Sequence, residues 1–188
     1  MKTLSTILFG VVFLFLLKIL TTMYHQISNF YTLYNNQATH LYFYNFNKEV
    51  LVNSPNLGLL LISVITLLAT IGLAFSLLKI LVVCKNMSID TVFTICNSGK
   101  IIFTGYTLLF FGLSLSLATF VYKYYFTGLT ISYHFTDDKA QQGYAFGYSM
   151  AFAIAKYLGI YVVAVFMLFL GAIIKKGVFL KVENELTI

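Results

Sequence analysis

Residues 144–174 read YAFGYSMAFAIAKYLGIYVVAVFMLFLGAII. The run is almost wholly apolar and longer than the roughly 20 residues a helix needs to cross a bilayer. Together with Gly143 it carries small residues at four-residue spacing: Gly143, Gly147, Ala151, Ala155 and Gly159. Positions four apart share one face of a helix, so these residues form a smooth row on which a second helix can sit close. A single such pair is common in membrane spans. A succession of them is a more specific sign of helix packing, though it says nothing of chemistry. Packing inside the monomer is the simpler expectation, and a homodimer contact is the alternative. Lys156 stands beside the row, inside the apolar run.

Working outward, the composition agrees with a membrane solvent. The chain has 188 residues, 60% hydrophobic and only 10% charged, with a mean hydropathy of +0.88. A soluble domain usually carries about 25% charged residues. A chain of this size cannot hide so much apolar surface in one aqueous core, so lipid must be the solvent for much of it. The net charge is +6 and every basic residue is Lys. Without Arg for bidentate phosphate contacts, and without a dense basic cluster, nucleic acid is not the expected partner. The lysines fall mostly at the ends of apolar runs, where they meet lipid headgroups. Cys84 and Cys96 are too few for a disulfide framework and lack the spacing of a metal or redox pair.

Three more apolar runs precede the quoted one, at about 3–23, 57–83 and 101–122. The first follows Lys2 and lacks a small-residue cleavage site, so an uncleaved span is expected rather than a signal peptide. Ser54-Pro55 suits the cap and first position of the second helix. Thr66, Thr70 and Ala74 give that helix a small or hydroxylated face, whose hydroxyls can bond back to their own helix carbonyls. In the connection at 84–100, Ser88 or Asp90 is the expected cap of a short amphipathic piece. The connections at 24–56 and 127–143 are polar and aromatic. Within them, 41–46 is rich in strand formers and 129–135 alternates apolar with polar, so both are expected as short strands. Around Lys123, Tyr122, Tyr124, Tyr125 and Phe126 read as an interfacial aromatic belt.

Orientation follows from the lysines. Lys2, Lys79, Lys85, Lys100, Lys175, Lys176 and Lys181 fall on one side, and Lys48, Lys123 and Lys139 on the other. The richer side is expected to be cytoplasmic and to hold both termini. The aromatic connections then form an outer cap.

Lys18 and Lys156 are the leading candidates for ligand binding, because charges inside spans are costly and often functional. One reading has them flank an outward-facing vestibule for an anionic group, a lipid headgroup or a carboxylate. The commoner case is snorkelling, in which each ammonium stretches to the interface and binds nothing specific. His25, His40 and His134, with Asp137 and Asp138, lie in the outer segments, but His134-x-x-Asp137 is no metal signature by itself. No metal site, cofactor or catalytic residue is assigned. The chain has no P-loop, G-x-S-x-G or H-E-x-x-H, and no acidic residue in any span. The expected partners are the lipid bilayer and either a membrane protein or a second copy of the chain.

Lys79, Lys85, Phe93, Asn97, Lys100 and Gly105 carry a resemblance. A basic end to the second span, a short segment with Phe, then Asn, Lys and Gly opening the third span is similar to small four-pass bacterial membrane proteins grouped as domain of unknown function family 2975. The resemblance implies a bacterial inner-membrane protein and carries no activity over.

The expected fold is therefore an all-α bundle of four transmembrane helices, with a small outer cap containing short β-strands. The expected function is that of a non-enzymatic accessory, sensory or interaction subunit. The alternatives are a small transport or channel-like protein with its path near Lys18 and Lys156, and a membrane enzyme acting on lipid.

Overall fold

The structure is a computed structural model and describes residues 2–35, 39–40, 51–52, 57–87, 94–121, 123–124 and 138–186. Among these residues there are five helices: α1 (Lys2–Tyr34), α2 (Leu57–Met87), α3 (Ile95–Val121), α4 (Asp138–Lys156) and α5 (Leu158–Leu186). Two strands of two residues each, β1 (Thr39–His40) and β2 (Leu51–Val52), pair antiparallel with Thr39 opposite Val52 and His40 opposite Leu51. The strand-bearing outer cap is not supported. The segments 41–46 and 129–135 lie outside the described residues, and the one ladder present is too short to hold itself together in water.

Helix takes in residues that the polarity of the sequence assigns to connections. α1 continues past Met23 to Tyr34, and α4 begins at Asp138. An Asp is as good a helix opener as a strand stop, because its carboxylate suits the positive end of the helix dipole. α3 starts before the third apolar run at 101–122, and the short amphipathic piece expected from Ser88 or Asp90 lies largely outside the described residues. Thr94 caps α3, its hydroxyl taking the backbone N–H of Asn97 at 3.1 Å. The α4–α5 junction is tightened, not open: the Tyr157 N–H bonds the carbonyl of Ile154 at 3.1 Å, three residues back instead of four.

Among the described residues four helices are long and apolar enough to cross a membrane, over Thr3–Ser28, Leu60–Asn86, Ile95–Val121 and Leu158–Asn184. The distribution of side chains fits that reading. The largest fully buried side chains are Leu115, Asn97, Thr70, Thr104, Thr119, Ser76, Ser98 and Ser149, of which Leu115 alone is apolar. Meanwhile Phe15, Leu68, Phe75, Leu113, Val165 and Phe169 are all more than half exposed. Large apolar side chains outside and small hydroxylated ones inside is the arrangement a lipid solvent favours. The chain is an integral membrane protein of helical type.

The chain gathers into two compact units. Unit 1 holds residues 1–24, 68–111 and 160–188; unit 2 holds 25–67 and 112–159. In unit 1 polar side chains tie helix to helix. Ser5 Oγ donates to the Cys84 carbonyl at 2.6 Å, Asn86 Nδ2 to Asn97 Oδ1 at 3.0 Å, and Ser98 Oγ to the Gly171 carbonyl at 2.8 Å. Hydroxyls also bond back along their own helix, as Ser76 does to Leu73 at 2.8 Å and Thr104 to Lys100 at 2.9 Å, the Thr104 hydroxyl reaching the Ser76 carbonyl of α2 at 3.5 Å as well. α3 and α5 approach closely at two glycines. A Cβ on Gly105 would sit 2.7 Å from the Leu168 side chain and 3.1 Å from the Ala164 carbonyl. One on Gly171 would meet Ile102 Cγ1 and lie 3.2 Å from the Ile102 backbone nitrogen.

In unit 2, α3 meets α4 and the start of α5. Ser116 Oγ donates to the Ala153 carbonyl at 3.2 Å, and Thr119 Oγ1 lies 3.0 Å from the Tyr157 hydroxyl. Phe120, Tyr124 and Phe146 form a three-ring cluster with centroids 5.1 to 5.8 Å apart.

Candidate functional site

The small-residue row comes first, since α4 and α5 position it. Gly143, Gly147, Ala151, Ala155 and Gly159 are all exposed. A Cβ built on Gly143, Gly147 or Gly159 would meet nothing within 4 Å. The row does not pack inside the monomer as described. The reason lies in the helix wheel. The face of α4 turned inward is the one carrying Ser149, Ala153 and Tyr157, with exposures of 0%, 1% and 3%. Those residues step by four as well, about 160° round the helix from the middle of the row. Each face repeats every four residues, and only the second meets α3.

Lys18 belongs to unit 1 and Lys156 to unit 2. Lys18 is exposed on α1 and lines a shallow open hollow of about 310 Å³ with Val11, Leu14 and Phe15. Its carbonyl accepts from the Thr21 and Thr22 hydroxyls at 2.8 and 2.9 Å. Lys156 is exposed at the end of α4, its Nζ 5.6 Å from the Tyr157 ring centroid.

The residue that sequence reasoning missed beside Lys156 is Lys123. It follows α3, in a turn that widens at Lys123 and Tyr124. Its ammonium lies 3.3 Å from the Phe152 ring centroid and 4.5 Å from that of Tyr148. Tyr144, Tyr148 and Phe152 stack along α4 with centroids 6.3 and 6.5 Å apart. Lys156 is the next position in that four-residue series, and its charge and that of Lys123 act on each other. The signal was present in the sequence as Tyr144, Tyr148, Phe152 and Lys156 at constant spacing. The neighbouring row of small residues drew the attention instead.

Two buried polar atoms have no hydrogen-bond partner: Ser149 Oγ and Gln26 Oε1. Cys84 is buried, Cys96 is exposed, and both are free thiols. His25 is exposed on α1. Among the described residues no group of three or more His, Cys, Asp or Glu stands together to hold a metal; His134 and Asp137 lie outside them.

No family model, curated protein or solved structure matches the chain.

Proposed function

We propose that the chain is a non-enzymatic multi-pass membrane protein, an accessory or interaction subunit whose α4 row seats a helix of another chain. The observation that supports this reading is the exposure of the entire row from Gly143 to Gly159. Small residues let two backbones approach closely. The row lies just before and at the start of the membrane-crossing stretch Leu158–Asn184, where a helix of a second protein can reach it. The proposal includes the bacterial inner membrane as location, with both termini on the cytoplasmic, lysine-rich side.

Ala151→Leu tests it. The leucine stands in open space, so the purified variant keeps the thermal stability of the parent. Its association, with a copy of itself or with one co-purifying chain, is lost. A variant that associates as the parent does contradicts the proposal.

A further inference from the structure

A different feature of unit 2 points to a ligand, and it does not depend on what occupies the small-residue row. Lys123 and Lys156 bring two positive charges to one face of α4. Tyr148 and Phe152 lie under the first of them. Lys123 follows the apolar stretch Ile95–Val121, and Lys156 precedes Leu158–Asn184. Both therefore stand at an end of a membrane-crossing stretch, where lipid phosphates are found. The rings hold the Lys123 ammonium in place by cation–π attraction. Two like charges at one place disfavour each other, and an anion carrying more than one acceptor oxygen relieves both. A lysine ammonium is a point charge with several donors, which suits a tetrahedral anion as well as a planar one. The tyrosines of the same series are amphipathic and sit naturally at headgroup level.

We propose that Lys123, held over the ring faces of Tyr148 and Phe152, and Lys156, one turn further along α4, form a binding site for a phosphate group at the membrane surface. Two sources present this chemistry, the headgroup of an anionic phospholipid and free phosphate in the adjoining solution.

The full chain in neutral detergent is titrated with phosphatidylglycerol and, separately, with phosphatidylcholine, and bound lipid is read by native mass spectrometry. Phosphatidylglycerol is expected to bind more tightly, since each lysine near an anionic headgroup contributes roughly fivefold in affinity. Lys123→Gln and Lys156→Gln each lower phosphatidylglycerol binding by about that factor, whereas Lys123→Arg and Lys156→Arg keep it. Phe152→Leu lowers it too, by releasing the Lys123 ammonium. Millimolar inorganic phosphate that displaces phosphatidylglycerol assigns the site to free phosphate; failure to displace it assigns the site to the lipid headgroup. Equal retention of the two lipids, or an unchanged preference in the Lys123→Gln/Lys156→Gln protein with native helix content, overturns the proposal.

Discussion

Glycines in this chain do two opposite things, and only position tells them apart. Gly171 lets α5 reach α3 closely enough for Ser98 to bond its carbonyl, and a Cβ there would press on Ile102 and lie 3.3 Å from the Ser98 carbonyl. Gly147 faces open space. Gly171→Ala is therefore expected to lower stability by about 1–3 kcal/mol, the usual cost of overpacking, while Gly147→Ala raises it by about 0.5–1 kcal/mol, the helix preference of Ala over Gly. Thermal unfolding in detergent measures both. The buried hydroxyls divide in the same way. Thr119 meets the Tyr157 hydroxyl, so Thr119→Val costs about 1 kcal/mol. Ser149 Oγ has no partner, so Ser149→Ala gains about 1 kcal/mol in the same assay. None of these roles was legible in residue type. Gly171 was passed over because its partner, Ile102, lies on another helix, and spacing within one helix cannot reveal a contact made to another.

At the scale of elements, the long apolar helices were the legible part, because lipid demands length and hydrophobicity that nothing else in the chain imitates. The ends of the helices were not. The cap of α3 is Thr94, whereas the apolar run of the sequence placed the start of that helix later, at 101. Thr94→Ala is expected to cost about 1 kcal/mol, visible as faster amide exchange at the start of α3. The junction of α4 and α5 falls at Tyr157, inside an apolar run that shows no Pro there. It was invisible because the run stays hydrophobic across it. α4 shows the limit of periodicity most clearly. Its small row and its buried row both repeat every four residues, and spacing alone does not say which of them meets α3. What separated them was the identity of the facing residues: Ser116 and Thr119 of α3 select Ala153 and Tyr157.

For the whole molecule, the same preference for lipid explains the inverted surface and the single-sided need for lysine. Large side chains such as Phe166 and Phe169 face outward, 56% and 62% exposed, while hydroxyls and small residues fill the interior. Such a surface suits lipid. The lysine distribution that sets the proposed orientation was fully legible, since it depends on sequence position and not on contacts. The candidate site was only half legible. Lys156 was identified from its place in an apolar run, but its partner Lys123 was read as part of an aromatic belt. Only the structure lays Lys123 across Tyr148 and Phe152.

The most direct measurement places a single cysteine at Ala151 in a Cys84→Ala/Cys96→Ser chain and applies an oxidant and a short thiol cross-linker in native membranes. As a control, the cysteine is placed instead at Val165, 59% exposed on α5 and outside the row. A cross-linked species of defined mass from position 151, with none from position 165, is the result expected if the row seats another helix. No cross-link at 151, or equal cross-linking at both positions, contradicts it.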